Sequence, residues 1–279
     1  MAKETSSDQL PIDLMGLVSL VGAGPGDPEL ITMKGLRRLH EADLVAYDRL
    51  VNPILLRECN PKAKLIYVGK HDPNRPNQSQ EGINQLLIDA ARTGKNVVRL
   101  KGGDPFIFGR GGEEASALCK AGIPFEVVPG ISSAVAVPAY AGIPLTHRDF
   151  SSSIAIVTGH EAENTQGAQR NVDWSALATA TDTLVVLMGV KKLEFIITQL
   201  IQHGRSVQEP AALISWGTTS EQRTVVATLE TIALEARKAE LANPATLVIG
   251  QVVSLHPTLD WFIHDKRMSI IGATRATTP

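Results

Sequence analysis

Residues that could bind a ligand or do chemistry are densest in the segment 99–114, where the sequence has five glycines within eleven residues. This is too many glycines for an ordinary helix or strand, and the adjacent Gly102 and Gly103 allow another group to approach the backbone closely. Asp104 follows them and could face a cation or accept hydrogen bonds from hydroxyl groups. The apolar residues 106–108 could form a wall for a ring the size of adenine, although apolar side chains more often belong to the core.

Two arginines could hold a negatively charged ligand. Arg110 lies one helical turn before Glu113, so the two side chains could pair at the surface, a contact worth about 0.3–0.5 kcal/mol. Alternatively, the planar guanidinium of Arg110 could bind a substrate carboxylate through two parallel hydrogen bonds. Arg148 offers the same chemistry, and its ordinary alternative is a solvated loop arginine.

Asp48 and Lys70 each end an apolar run that predicts a strand. A carboxylate and an amine in one cleft could act as general base and general acid. The same two groups could form a structural ion pair, which is the commoner arrangement. His71, His147 and His160 do not have the spacing of metal ligands, so the sequence indicates no metal site.

The segment 18–30 joins an apolar run to a glycine turn and the start of a helix. Asp27 is placed to cap that helix, with Pro28 at its first position. A dinucleotide fingerprint requires glycine where this chain has Asp27, and Pro25 removes an amide that a phosphate would need. The turn therefore favours a neutral or cationic ligand over a polyanion. A tight turn with no ligand at all is the alternative.

Apolar runs and helical segments alternate along the chain and predict an α/β fold with a largely parallel first sheet. One helix is indicated by the apolar spacing at 83–90, with Ser79 as its cap and Gly94 beyond its end. Ligands bind beyond the carboxyl ends of strands in open α/β sheets, so we expect the strand-end loops to converge on one cleft between two domains. The predicted strands are 18–21, 44–48, 65–70, 96–100 and 125–128, then 154–157, 183–188, 211–214, 224–228 and 247–255, with further helices near 191–203 and 229–241.

The length and composition of the chain argue against several classes of protein, including membrane, secreted and nucleic-acid-binding proteins. A chain of 279 residues is long enough for two domains of roughly 100–200 residues each, which we expect at 16–130 and 131–264, with tails at 1–15 and 265–279. No apolar run approaches the ~20 residues of a membrane helix, and the N-terminal tail lacks a secretory signal. The net charge of −2 without a long basic run argues against nucleic acid as a partner. Cys59 and Cys119 are expected to be reduced thiols in the cytoplasm.

These motifs resemble those of the uroporphyrinogen-III C-methyltransferases, which belong to the tetrapyrrole methylase group. The resemblance covers about residues 16–262. It implies two α/β domains, distinct from the usual Rossmann methyltransferase fold, in a homodimer with the active-site cleft between the domains. It also implies S-adenosylmethionine as cofactor and two C-methylations of uroporphyrinogen III, via precorrin-1, to precorrin-2. The motifs are Gly-Ala-Gly-Pro-Gly-Asp-Pro-Glu-Leu (22–30), Tyr-Asp-Arg-Leu-Val (47–51), Val-Gly-Lys (68–70), Gly-Gly-Asp-Pro (102–105), Phe-Gly-Arg-Gly-Gly-Glu-Glu (108–114) and Val-Pro-Gly-Ile-Ser-Ser (128–133).

The resemblance also implies roles for individual positions. Asp48 and Lys70 match a proton acceptor and a proton donor. Arg110, Glu113 and Arg148 match positions that hold or act on the tetrapyrrole, and Arg110 is also expected to be catalytic. Many relatives have Thr-Ala where this chain has two serines at 132–133, so the hydroxyl at 132 matches the family pattern and the serine at 133 departs from it. The positions that match cofactor contacts are Pro25, Gly102, Gly103, Asp104, Ile107, Ser132, Ser133, Met188 and Gly217.

Elementary chemistry agrees with these implications, because a sulfonium cation suits a glycine turn that carries carboxylates. Two other hypotheses remain open at this point. One is a relative with another target, such as a later precorrin or an RNA, although few aromatics and no basic run argue against RNA. The other is a cofactor-binding or scaffold protein without enzymatic activity.

Overall fold

A computed structural model describes residues 14–69, 79–160 and 172–262. The chain divides into two compact units between Ser132 and Ser133, two residues past the end of the first predicted domain. Among the described residues, no helix is long and apolar enough to cross a bilayer.

The first unit contains a five-stranded sheet whose strands are all parallel. Its strands are β1 (Val18–Gly22), β2 (Leu44–Tyr47), β3 (Lys64–Tyr67), β4 (Val97–Lys101) and β5 (Phe125–Val128), in the order β3-β2-β4-β1-β5. The helices of its described part are α1 (Met33–Glu41), α2 (Pro53–Arg57), α3 (Gln80–Arg92) and α4 (Gly111–Lys120). The predicted parallel sheet is therefore confirmed.

Both faces of the first sheet are covered, as the near-continuous apolar runs predict. Leu20 in β1 packs in one cluster with Leu87 of α3, and the next residue, Val21, packs in another cluster with Leu39 of α1. All five residues of β1 are buried. Neighbouring side chains of a strand point to opposite faces, so a strand covered on both faces has a near-continuous apolar run in its sequence.

Local capping signals set the helix boundaries. Ser79 accepts a hydrogen bond from the Gly82 amide and begins α3 as predicted. Asp27 accepts one from the Glu29 amide with Pro28 in the first position, but this turn is a short 3₁₀ helix. The α-helix that follows, α1, has its own cap at Thr32.

The second unit contains a mixed five-stranded sheet in the order β6-β7-β10-β8-β9. Strands β6 and β7 are parallel, whereas β10 runs antiparallel to both β7 and β8, and β9 runs antiparallel to β8. Its described elements are α5 (Ser133–Tyr140), β6 (Ile154–Thr158), α6 (Trp174–Ala180), β7 (Thr183–Leu187), α7 (Leu193–Gln202), β8 (Pro210–Ser215), β9 (Arg223–Thr228), α8 (Ile232–Lys238), β10 (Ala245–Ile249) and α9 (His256–Leu259).

One strand prediction in this unit is wrong in its length. The predicted strand 247–255 ends at Ile249, and residues 251–255 form a 3₁₀ helix. Gly250 lies between them with φ of +146°, and a Cβ atom there would be 2.6 Å from the Asp182 carbonyl oxygen. The apolar residues Val252 and Val253 beyond Gly250 are also buried, but they lie in a helical turn and not in the strand. An apolar run of this kind does not distinguish strand from buried helix.

Candidate active site

Three loops meet at the carboxyl end of the first sheet. Gly24, after β1, and Gly103, after β4, exchange two backbone hydrogen bonds of 3.2 and 2.6 Å. Gly130, after β5, packs against Gly22 and Gly103: a Cβ atom on Gly22 would lie 2.5 Å from the Gly130 Cα atom, and one on Gly130 would lie 2.3 Å from the Gly103 carbonyl oxygen. The glycines therefore let the three chain segments approach one another, and Pro25 and Gly102 lie in the same two loops.

Asp104 links two of these loops. Its carboxylate accepts a hydrogen bond of 2.7 Å from the Phe106 amide and one of 3.0 Å from the Gly130 amide. Each carboxylate oxygen therefore has a backbone partner, and each keeps a further lone pair for another donor. The side chain fixes the shape of the loop and stays partly exposed.

The apolar residues after Asp104 are not core residues. Phe106, Ile107 and Phe108 are 55, 42 and 43% exposed, so the core interpretation is wrong for all three. Phe108 and Arg110 have φ of +53° and +60°, a conformation that is strained for residues other than glycine. The loop therefore presents apolar side chains to the surface on a strained backbone, as binding loops often do.

Arg110 and Glu113 form the surface ion pair that their spacing allows. Arg110 Nε and Nη2 donate to the two Glu113 oxygens over 2.8 and 2.6 Å, and both side chains are about half exposed. The hydrogen bond to Glu113 raises the pKa of Arg110, and the same bond lowers the pKa of Glu113. A substrate carboxylate that binds Arg110 would have to compete with Glu113 for the Nε and Nη2 donors of the guanidinium.

Asp48 directly follows β2 and lies beside two cations of β4. Arg99 Nη2 donates to Asp48 Oδ1 over 2.7 Å, and Lys101 Nζ lies 4.0 Å from Asp48 Oδ2. Lys70, the predicted partner of Asp48, lies outside the described residues. Within those residues Asp48 thus forms a close ion pair with Arg99 and a longer one with Lys101.

In the second unit, Met188 and Gly217 lie at one edge of the sheet. They follow β7 and β8, which run in the same direction because each is antiparallel to β10. Met188 is 46% exposed with φ of +57°. A Cβ atom on Gly217 would lie 2.4 Å from Val137 of α5, so this position has no room for a side chain.

The remaining predicted positions of this part of the chain lie in and before α5 and in a turn. Ser132 precedes α5 and Ser133 is its first residue. Arg148 is exposed in the turn that His147 and Ser151 close with two backbone hydrogen bonds of 3.0 and 2.9 Å.

Comparison with known proteins identifies the family. The model of the tetrapyrrole (corrin/porphyrin) methylases matches residues 17–233. The chain belongs to the tetrapyrrole methylases. It is 50% identical over 248 residues to a uroporphyrinogen-III C-methyltransferase of Bacillus subtilis, covering 89% of this chain and 95% of that protein. It is 51% identical over 240 residues to the Priestia megaterium enzyme of the same name, covering 86% of this chain and 99% of that protein.

Solved structures of the family agree with the fold. A uroporphyrin-III C-methyltransferase of Thermus thermophilus in complex with S-adenosylhomocysteine has a TM-score of 0.73 and 42% identity, and the match covers 86% of this chain and 100% of that one. Among relatives compared by sequence, a siroheme synthase of Acinetobacter baylyi is 52% identical over 246 residues, which are 88% of this chain but only 53% of that protein.

Sequence reasoning missed three charged residues of this tetrapyrrole methylase. Arg99, Lys101 and Glu114 are buried together, with side chains 3, 3 and 0% exposed. The available signal was in β4, where charged residues alternate with Val98 and Leu100 in a strand that is otherwise apolar. Strand alternation places both cations on one face of the sheet.

Metal ligands and thiols are the remaining candidate groups. No group of three or more His, Cys, Asp or Glu side chains within 14–69, 79–160 and 172–262 could hold a metal ion. Cys59 is buried and Cys119 is exposed, and both are free thiols. Burial raises the pKa of Cys59 to about 11, with a smaller contribution from Glu58, so Cys59 is not a reactive thiol.

Proposed function

We propose that this tetrapyrrole methylase is a uroporphyrinogen-III C-methyltransferase, which methylates two pyrrole rings of uroporphyrinogen III in turn and forms precorrin-2 via precorrin-1. The observation that carries the proposal is the identity of about 50% to two proteins of that name over nearly their full lengths. More distant members of the fold have other targets: a cobalt precorrin-4 methyltransferase is 27% identical.

We propose S-adenosylmethionine as the cofactor, and the residues of the first-unit loops fit its chemistry. Carboxylates of Asp27, Glu29 and Asp104 lie in or beside the glycine turns, where they favour a sulfonium cation and disfavour a phosphate. Ile107 adds an exposed apolar side chain that could cover the adenine. The proposed contact residues are Pro25, Gly102, Gly103, Asp104, Ile107, Ser132, Ser133, Met188 and Gly217.

The cofactor supplies an electrophilic methyl group, and the protein has to align a pyrrole carbon with it. Such alignment can contribute roughly 7–11 kcal/mol without a strong protein nucleophile. Arg110 and Arg148 would bind the carboxylates that fringe the macrocycle, with Glu113 orienting Arg110. Asp48 would accept the proton that the methylated ring releases, and Lys70 would act as the proton donor.

We further propose a cytoplasmic homodimer. The two free cysteines suit a reducing compartment. Edge strand β6 leaves Ile154 and Ile156 41 and 37% exposed, and apolar side chains on an open strand favour association. Light scattering on the purified protein tests the dimer, and a monomer mass at micromolar concentration would refute it.

The test of the activity is anaerobic incubation with S-adenosylmethionine and uroporphyrinogen III, with mass detection of the products. We expect monomethylated and then dimethylated tetrapyrrole, and binding of S-adenosylhomocysteine by calorimetry. Methylation of a precorrin or an RNA, but not of uroporphyrinogen III, would assign another target within the family. Cofactor binding without any methyl transfer would indicate a protein that is not an enzyme.

A further inference from the structure

Four charged side chains of the first unit form one connected network. The guanidinium of Arg99 lies between two carboxylates: its Nη2 donates to Asp48 Oδ1 over 2.7 Å and its Nε donates to Glu114 Oε1 over 3.0 Å. Lys101 Nζ donates to the same Glu114 oxygen over 3.1 Å. Arg99, Lys101 and Glu114 are almost fully buried, whereas Asp48 is 30% exposed. Asp48 is therefore the end of the network that a bound molecule can reach.

All three nitrogens of the Arg99 guanidinium are engaged. Its Nη1 donates to the carbonyl oxygens of Ala46 and Leu100 over 3.3 and 3.2 Å. These bonds fix the guanidinium plane against the backbone of β2 and β4. The Arg99 guanidinium cannot rotate without losing one of these hydrogen bonds. It therefore also fixes the orientation of the Asp48 carboxylate that it binds.

Stabilisation of the fold does not by itself explain this network of buried charges. Glu114 Oε1 accepts hydrogen bonds from Arg99, Lys101 and the side-chain amide of Gln80. The other oxygen, Glu114 Oε2, is buried and has no hydrogen-bond partner within the described ranges. Buried ion pairs are often no more stabilising than apolar side chains of the same volume. The arrangement therefore favours a role beyond packing.

The surroundings of the two buried cations, Arg99 and Lys101, shift their pKa values in opposite directions. Burial and the neighbouring Arg99 lower the pKa of Lys101. For Arg99 itself, burial acts to lower the pKa, but the carboxylates of Asp48 and Glu114 outweigh it and raise the pKa overall. Arg99 thus remains the permanent cation beside Asp48.

We propose that Arg99 and Glu114 are positioning residues that hold the Asp48 carboxylate in the orientation in which it acts on the tetrapyrrole. Glu114, at the buried side of α4, aligns the guanidinium, and the guanidinium in turn aligns Asp48. This inference rests on the proposed function, in which Asp48 accepts a proton from the substrate.

The test is the double variant Arg99→Met with Glu114→Met. It removes one positive and one negative charge from the interior, but it also takes from buried Lys101 its carboxylate partner at 3.1 Å and leaves this cation with Asp48 at 4.0 Å, so we expect a lower melting temperature in a protein that still folds. We expect kcat to fall by about a hundredfold, as misplacement of a reacting group by about 1 Å can cause. KM and the dissociation constant of S-adenosylhomocysteine are expected to change little.

The second unit provides a matched control. Arg205 is as buried as Arg99, donates to both oxygens of Glu209 over 2.8 and 2.9 Å, and also donates to two backbone carbonyls. The variant Arg205→Met with Glu209→Met should therefore keep a normal kcat. An equal loss of kcat in both double variants would refute the positioning role, as would normal kcat in the Arg99 and Glu114 variant.

Two further measurements keep the test decisive. Arg99→Lys retains the charge but cannot bridge both carboxylates, so we expect a reduced kcat with a folded protein; full activity of this variant would overturn the proposal. A crystal structure of the Arg99→Lys variant should show the Asp48 carboxylate rotated from its wild-type position. If the wild type does not methylate uroporphyrinogen III, the proposed function fails, and this crystal structure still decides whether Arg99 positions Asp48.

Discussion

The Asp104 carboxylate and the Gly130 amide are joined by a hydrogen bond of 3.0 Å, although the two residues are 26 positions apart in the chain. The other oxygen of Asp104 accepts from Phe106. One side chain thus fastens the loop after β4 to the end of β5, so its loss should disturb both the fold and the candidate cofactor site.

Replacing Asp104 by Asn is expected to be destabilising. The amide keeps one acceptor oxygen but places an NH₂ group against a backbone N–H donor, which costs about 1–3 kcal/mol when the donor is shielded from water. We also expect weaker binding of S-adenosylhomocysteine. Urea unfolding and calorimetry measure the two effects, and a wild-type dissociation constant for S-adenosylhomocysteine would exclude the Asp104 charge from the cofactor site.

The variant Arg110→Ala should retain cofactor binding and lose turnover. Its effect on stability should be small, about 0–1 kcal/mol, because the ion pair with Glu113 is half exposed. The matched control is Arg237→Ala, which breaks the exposed pair with Glu194 in the second unit and should leave turnover unchanged. Unchanged turnover of Arg110→Ala in the methylation assay would remove Arg110 from the mechanism.

Glu126 makes the first unit sensitive to acid. Partial burial acts to raise its pKa, but hydrogen bonds from Arg38, Lys34 and Ser19 outweigh this and lower the pKa from 4.5 to about 2. The side chain is only 19% exposed. A carboxyl group with a lowered pKa in the folded state stabilises the fold fully above its unfolded pKa, and this contribution is lost as the pH falls from about 4.5 towards 2.

Glu126→Gln should therefore lower the free energy of unfolding at pH 7 by up to about 3 kcal/mol. The difference from the wild type should shrink as the pH falls from 4.5 to 2. Glu41→Gln is the control, because Glu41 also pairs with Arg38 but is 49% exposed, and its effect should be small. Urea unfolding between pH 2 and 7 measures both, and a difference that is independent of pH would contradict the assignment.

Two glycines of the candidate site segments should respond in opposite directions to alanine. At Gly22 a Cβ atom would meet backbone atoms of Gly130 and Gly103 at 2.5–2.6 Å, whereas at Gly112 in α4 it meets nothing within 4 Å. Gly22→Ala should destabilise the protein by at least about 2 kcal/mol. Gly112→Ala should stabilise it by about 0.5–1 kcal/mol, because alanine loses less entropy in a helix. Thermal unfolding of both variants measures this, and equal shifts would contradict the close approach at Gly22.

Much of the fold could be read from local patterns. The apolar runs predict all five strands of the first sheet to within a few residues, and Ser79 marks the start of α3. The prediction fails at 251–255, where buried valines continue beyond Gly250 in a helical turn. Apolarity indicates burial in either kind of element, and the chain changes from strand to helix at Gly250, whose backbone packs closely against Asp182.

The candidate site could be predicted only in part. Glycine and carboxylate spacing singles out the loops after β1 and β4, because those residue types permit close backbone approach and bind cations. The pairing of Arg110 with Glu113 is predicted by their separation of three residues, although Arg110 itself lies just before α4 in a left-handed conformation. The connection of Asp48 to Arg99 spans 51 residues and has no local signal.

The sequence by itself determined the alternation of strands and helices, the glycine turns and the family, since these depend on neighbouring residues and on motifs. Only the tertiary structure decided which charges are buried. Arg99 and Lys101 in an open strand would be solvated, but the order β2-β4-β1 and the cover of α4 enclose them with Glu114. The physical reason is that removal of a charge from water depends on everything packed around it, and that environment comes from distant parts of the chain.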